Sequence, residues 1–310
     1  MDAAIFGLIV ADLIALPMDL RRPPCSGGLA ILDSLALMTG GNVCNVGLAM
    51  AKLGMKVAAT GMVGADELGR AVTDRLKQSA IDVACVFATD RAQTSATVVA
   101  VEPGGERCFF HTPGVTPLLD AATFRKCFPI FRQCAWVQIG YFGLLPGITK
   151  DLPELLCELR AEAPGAKIAF DTVNPPADAE LLWRILPHVD LFAPSRTEAS
   201  ALTNESKPQK MAAAFREHMR PEAIIGIKLD KDGSFLDDGR KSVTADAYDV
   251  KVIDTTGAGD TWFAALLTAI RREMPLDKAA KFANRAAADC CTALGASAGV
   301  KSLEETLARL

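Results

Sequence analysis

Val252-Ile253-Asp254-Thr255-Thr256-Gly257-Ala258-Gly259-Asp260-Thr261-Trp262 is the stretch on which the reading of this chain turns. Val250 and Val252 alternate with polar neighbours, as at the end of a strand, whereas Trp262, Phe263, Leu266, Leu267 and Ile270 recur at helical spacing. The pattern predicts a strand, a glycine-broken turn and a helix. Gly257 and Gly259 keep side chains away from the turn, so successive amide N–H groups can point outward at the helix start and favour an anion. Asp260 opens the helix beside that anion position, where a carboxylate is a poor ligand for phosphate and a good candidate base. A simple N-cap is the plainer alternative for Asp260.

Around this stretch the chain reads as α/β. Of its 310 residues about half are apolar, enough for a large core. Ala3 to Val10 is a continuous apolar run, expected as a doubly buried strand with Asp12 just past its end, where α/β sheets collect ligands. Further strands are expected at Val57 to Thr60, Trp136 to Ile139, Lys167 to Asp171, Leu191 to Ala193, Ala223 to Lys228 and Ser234 to Leu236. Helices between the earlier ones imply a doubly wound, mainly parallel sheet. A last helix is expected from Pro275 through Cys291, with Gly295 as its C-cap.

Two segments break the alternation. Residues 17–39 are irregular, with Pro17, Pro23, Pro24, Gly27 and Gly28. Ala96 to Val101 and Arg107 to His111 flank the turn Glu102-Pro103-Gly104-Gly105-Glu106 and read as a hairpin. Together they suggest a small β lid over one edge, a device that excludes water from a group-transfer site. The expected division is residues 1–12, 40–92 and 117–310 in the large domain and 13–39 and 93–116 in the lid.

Composition excludes several classes. The 33 basic and 37 acidic residues give a net charge of −4 with no basic stripe, against a nucleic-acid or anionic-membrane partner. No apolar run approaches the ~20 residues of a membrane-crossing helix. The start lacks the basic segment of a secretory signal, and the nine cysteines are odd in number with no C-x-x-C pair, so a reduced, cytoplasmic setting is expected. Gly64 and Gly69 imitate a P-loop, but Arg70-Ala71 stands where Lys-Ser/Thr is required, and Asp66 and Glu67 would repel phosphate. Gly295-Ala296-Ser297-Ala298-Gly299 spells an esterase elbow, yet His111, His188 and His218 all precede it. Those histidines lack metal-ligand spacing. Glu198, in Pro194-Ser195-Arg196-Thr197-Glu198, is either a helix cap or a holder of water or Mg²⁺ near an anion.

The second glycine motif, Gly40-Gly41-Asn42-Val43-Cys44-Asn45, precedes a helix that Gly54 ends; its amides suit a neutral polyhydroxy ligand better than a phosphate. This motif and Asp254-Thr255-Thr256-Gly257-Ala258-Gly259-Asp260 resemble, in order and separation, the two signatures of the ribokinase-like (phosphofructokinase B type) carbohydrate kinases. The resemblance covers nearly the whole chain. It implies ATP-dependent phosphorylation of a sugar or nucleoside hydroxyl in a Rossmann-like domain closed by the lid. It makes Asp260 the base and the amides of Gly257, Ala258 and Gly259 the anion hole, and maps Asp12, Gly40, Gly41 and Asn45 onto the sugar, with His111 facing it from the lid. Lys228, Asp232 and Gly233 fall on the nucleotide side, and the adenine wall runs from Ala287 to Gly295. Mg²⁺ is implied with ATP, with Glu198 acting on it through water. In some members K⁺ sits behind the anion hole, where Asp254 and Thr256 would be its ligands; lid-to-lid homodimers also occur.

The chain departs from the family pattern twice. Ser195 stands where the N-x-x-E segment has Asn, and Gly140-Tyr141-Phe142-Gly143 follows a strand where some sugar kinases carry an acid, which implies a roomier or more apolar pocket. A nucleoside kinase, with Phe109, Phe110 and His111 stacking on a base, and a sugar-binding protein without turnover are the alternatives.

Overall fold

Short, largely apolar runs form the strands of the main sheet, and the computed structural model describes residues 1–22, 24–102, 104, 106–173 and 179–310. Pro23, and Pro103 and Gly105 of the expected hairpin turn, lie outside the described residues. The main sheet has nine strands in the order β13-β12-β11-β10-β9-β8-β1-β4-β5. Its members are β1 (Ala3–Gly7), β4 (Val57–Gly64), β5 (Asp82–Thr89), β8 (Trp136–Phe142), β9 (Lys167–Thr172), β10 (Leu191–Phe192), β11 (Ile224–Lys228), β12 (Ser234–Asp237) and β13 (Ser242–Ala245). Pairing is parallel from β5 to β11 and antiparallel from there to β13. The chain builds outward from β1 in both directions, so the order reverses beside β1 and β8, and the crevice beyond their carboxyl ends is where ligands bind in such sheets.

Each face of the sheet is covered by helices. One face buries Phe124, Phe131, Phe170, Phe192 and Phe215; the other buries Trp262, Phe263, Leu266 and Phe282 from the Ala258–Arg271 and Leu276–Cys290 helices. A second, four-stranded sheet has the order β3-β2-β6-β7, made of β2 (Val10–Leu16), β3 (Ser34–Gly40), β6 (Ser95–Val101) and β7 (Arg107–Thr112). Its small core is Ile14, Val99 and Val101.

The expected single strand through Ala3 to Val10 is two strands in two sheets. Gly7 turns the chain at φ +149°, and a Cβ there would meet Asn42 Oδ1 at 2.3 Å. The Asn42 amide fills the gap, accepting from the Leu8 N–H at 2.8 Å and donating to Phe6 O at 3.1 Å. Asn42 therefore serves the backbone break and not a ligand. In consequence Asp12 lies inside β2, in register with Thr97 of β6, rather than at the end of a main-sheet strand.

Two other expectations fail locally. No strand forms at Val250–Val252; β13 is the sheet's last strand, and residues 246–253 cross its end as coil with Val252 exposed. The Leu276–Cys290 helix, expected as the last, is capped at Cys291 and followed by a short helix at Leu303–Leu307, and Gly295, at φ +92°, belongs to the loop between them.

Candidate active site

The carboxyl ends of β8, β9 and β11 and the start of the Ala258–Arg271 helix enclose a cavity of about 830 Å³ lined by Tyr141, Asp171, Glu198, Lys228, Gly257, Ala258, Gly259 and Asp260. The helix begins where Gly257 takes φ +75°. A Cβ on Gly257 would stand 2.5 Å from both Cβ and O of Ala296, so the turn admits only glycine. The N–H groups of Gly257, Gly259 and Asp260 donate to no protein oxygen among the described residues, whereas that of Ala258 donates to Thr255 O at a long 3.2 Å. Thr261 N–H is the first to enter regular helical bonding, to Gly257 O. Free donors at the positive end of a 14-residue helix form an anion site.

Asp260 is buried at the rim of these amides. Its Oδ2 accepts from Asn45 Nδ2 at 2.9 Å and from the Tyr141 hydroxyl at 2.7 Å. Oδ1 has no protein donor among the described residues, so one oxygen is anchored and the other is open. Burial raises the Asp260 carboxyl above its ordinary range, against the two hydrogen bonds and the Lys228 charge, which hold it down. Tyr141 stays a neutral donor, because burial and the neighbouring carboxylate push its phenol well up. Tyr141 adopts φ +59°, a conformation uncommon for a bulky residue and found where a site demands it.

Lys228 Nζ lies 3.0 and 3.2 Å from the two oxygens of Asp171. Burial, with Glu198 and Asp260 nearby, pushes Asp171 up to about 7 despite the lysine. The three carboxylates in turn overcome burial and keep Lys228 protonated. A Cβ on Gly259 would sit 3.9 Å from Lys228 Nζ, so ammonium and free amides face one spot. Tyr141 and Asp171 carry no catalytic motif in the sequence; only their positions at the carboxyl ends of strands β8 and β9 could have suggested them.

Other expected site residues divide. Gly233 and Ala287 line the cavity with Lys228. Asp232 does not; it pairs with Arg196 at 2.6 Å and is half exposed. Gly40 lies against Asp12, whose Oδ2 would be 2.1 Å from a Cβ there, and Gly41 at φ +80° packs on Leu8 O. Asp12 neighbours Thr97, which bonds His111 Nδ1 at 3.1 Å, so Asp12, Thr97 and His111 form a row across the small sheet. Glu198 completes a capping box with Ser195, accepting the Ser195 N–H at 2.7 Å. Serine at 195 is therefore a working N-cap. Gly140 gives no extra room, since a Cβ would meet Gln138 Nε2 at 2.6 Å and Asn42 Nδ2 at 2.8 Å, and the Tyr141 ring occupies the pocket instead.

Asp254 and Thr256 do not fit a monovalent cation. Arg107, the first residue of β7, donates its Nη1 to Asp254 Oδ1 and, at 2.6 Å, to Thr256 Oγ1. Asp254 Oδ1 also accepts the Thr256 N–H at 2.8 Å, and Oδ2 accepts the Gly295 N–H at 2.7 Å. Burial would raise the Asp254 carboxyl, but these donors hold it below the ordinary range. No helix among the described residues is long and apolar enough to cross a membrane.

Known proteins resemble this chain over nearly its whole length. A model of the pfkB family carbohydrate kinases matches residues 2–303. A ribokinase of Haemophilus influenzae is 28% identical over 274 residues, covering 86% of each chain. A fructokinase of Salmonella typhimurium is 28% identical over 267 residues, covering 84% of this chain and 86% of its own. Among solved structures, Arabidopsis thaliana ribokinase complexed with ribose and ATP superposes with a TM-score of 0.82 at 21% identity, over 99% of this chain and 97% of its own. A candidate ribokinase II from E. coli in complex with ATP and Mg²⁺ gives 0.83 at 20% identity, over 99% and 98%.

Proposed function

This chain belongs to the pfkB family of carbohydrate kinases, and from that premise we propose that it transfers the γ-phosphoryl group of ATP to a hydroxyl of a small sugar, with Asp260 as the base. The observation that carries the proposal is the meeting, in one cavity, of an open Asp260 oxygen, the free N–H groups of Gly257 and Gly259, and the Lys228 ammonium.

Each group has a separate task. A sugar hydroxyl at Asp260 Oδ1 gives up its proton to that oxygen while its own oxygen attacks the γ-phosphorus; the bond to the β-phosphate oxygen breaks and ADP departs. General-base assistance of this kind contributes about 10²–10⁴ in rate. Asn45 and Tyr141 fix the carboxylate by its other oxygen, so little reorganisation remains at the moment of transfer. The amides of Gly257 and Gly259, joined by that of Ala258 if its long turn bond yields, face the negative charge that grows on the phosphoryl oxygens. Lys228 supplies a fixed positive charge beside them. Val250, Val252, Ala287 and Cys291 give the cavity an apolar wall suited to a purine.

Mg²⁺ would come with the nucleotide. Among the described residues no three acid, histidine or cysteine side chains are grouped to hold a metal directly, but Glu198 and Asp171 offer hard oxygens to its waters from the cavity wall. When bound, the ion would neutralise phosphate oxygens.

On the lid side we assign the sugar contacts to Asp12, Gly40, Gly41, Asn45 and His111, with the four-stranded sheet as the lid. Leu35, Phe109 and Phe110 are exposed on lid strands, which supports pairing of two lids in a homodimer. The test is ATP consumption with ribose, fructose, ketogluconate-type sugars and adenosine. Turnover with a sugar is expected. Turnover with adenosine alone would make it a nucleoside kinase, and tight binding without turnover would make it a sugar-binding protein.

A further inference from the structure

Arg107 reaches from the lid to the back of the anion-hole loop. It stands at the start of β7, paired in register with Val101 of β6, and its guanidinium touches the side-chain oxygens of both Asp254 and Thr256. Thr256 directly precedes Gly257, the residue whose left-handed turn frees the amides. The contact is sheltered, with side-chain exposure of 18% for Arg107 and 2% for Asp254. It is also the junction of three separate segments, because Gly295 N–H closes on the same carboxylate from the loop after the Leu276–Cys290 helix. A planar, permanently charged group with several donors suits two oxygen acceptors at once better than a lysine would.

We propose that Arg107 is a built-in cation: its guanidinium takes the place of a monovalent ion behind the 254–257 loop, and because it belongs to the lid, it joins the shape of the anion hole to the position of the lid. The loop's own oxygens leave no room for a second positive charge, since Arg107 holds Asp254 Oδ1 and Thr256 Oγ1 and backbone N–H groups hold the remaining Asp254 positions. Arg107 is a positioning residue; it lines no part of the cavity. With the lid swung away, the carboxylate of Asp254 would lose its counter-charge and the loop its anchor. Phosphoryl transfer would then be confined to the closed state.

The activity arm of this inference rests on the kinase reading; the ion-binding arm does not. Wild type, Arg107→Ala and Arg107→Lys are compared in choline, Na⁺ and K⁺ chlorides at equal ionic strength, by thermal melting without ligands and by ATP turnover with the accepted sugar. Wild type should melt and turn over alike in all three salts. Arg107→Ala should lose activity in choline and regain it in K⁺ by about 5–150-fold, the usual size of a coupling between two sites, and its melting temperature should rise with K⁺. Arg107→Lys should keep a charge in place and show no K⁺ response. A wild-type enzyme that needs K⁺, or an Arg107→Ala variant as active as wild type and indifferent to K⁺, overturns the proposal. If no sugar is phosphorylated by wild type, the kinase reading fails, and the melting data alone still decide whether Arg107 occupies the cation position.

Discussion

Gly257 and Gly259 sit two residues apart in the same loop, yet adding one methyl group to each should have opposite consequences. At Gly257 the backbone is left-handed, at φ +75°, and the new Cβ would lie 2.5 Å from Ala296 Cβ and O. The conformation costs an L-residue about 1–2 kcal/mol, and forcing an atom into a packed site costs about 1–3 kcal/mol more. For a chain of this size, Gly257→Ala should lower the melting temperature by roughly 3–8 °C, taking about 2 cal/mol/K per residue for the unfolding entropy. At Gly259 the nearest atoms to a new Cβ are Lys228 Cδ and Nζ, both at 3.9 Å, an ordinary contact. Alanine also favours helix over glycine by up to about 1 kcal/mol, so Gly259→Ala should melt at or slightly above wild type. Its methyl, however, enters the space between the free amides and Lys228. If a phosphoryl group must occupy that space, kcat/KM for ATP should fall about 10²–10³-fold, the cost of losing a donor to developing charge. Differential scanning fluorimetry and a coupled ADP-release assay on the two variants provide the readout. Wild-type kcat/KM in a well-folded Gly259→Ala variant would refute the assignment of these amides to the phosphate.

Two further substitutions follow from the same contacts. Tyr141→Phe removes a hydrogen bond that holds the Asp260 carboxyl down; catalysis needs the carboxylate, so activity is lost as pH falls through its pKa, and the acid limb of the kcat–pH profile should move to higher pH. A limb that stays or moves down would contradict this. Asn42→Ala strips partners from the Leu8 N–H and Phe6 O at the break between β1 and β2; leaving such buried groups unpaired costs about 1–3 kcal/mol each, so chemical denaturation should show a loss of about 2–6 kcal/mol. A loss below 1 kcal/mol would mean the break does not depend on that amide.

How much of this could be seen in the sequence depends on how local each feature is. The loop from Asp254 to Asp260 and the motif from Gly40 to Asn45 are legible because their glycines and polar residues act within a few positions of one another. The parallel strands β8, β9 and β11 are legible because burial on both faces leaves continuous apolar runs. The apolar run at Ala3 to Val10 misleads for the same reason: burial continues through Gly7, and only the Asn42 amide, 35 positions away in the chain, reveals that the run changes sheets. Val250 and Val252 mislead because their apolar side chains line the cavity rather than pack on a strand. Edge strand β5 escapes notice because its residues are only partly buried and their pattern is weak. The roles of Arg107, Tyr141 and Asp171 are not legible because each depends on partners 57 to 147 positions away in the chain, brought together only by tertiary packing. Ser195 is legible as a departure but its local task is not: it and Glu198 cap one helix together.

Phosphoryl transfer here depends above all on the Asp260 carboxylate, and Asp260→Asn reaches it most directly. Asparagine keeps the shape, and its amide oxygen can still accept from Asn45 and Tyr141, so melting temperature and ATP affinity should be unchanged. Single-turnover phosphorylation of the accepted sugar should slow by about 10²–10⁴-fold. A folded Asp260→Asn enzyme that phosphorylates the sugar at the wild-type rate would contradict the assignment of Asp260 as the base.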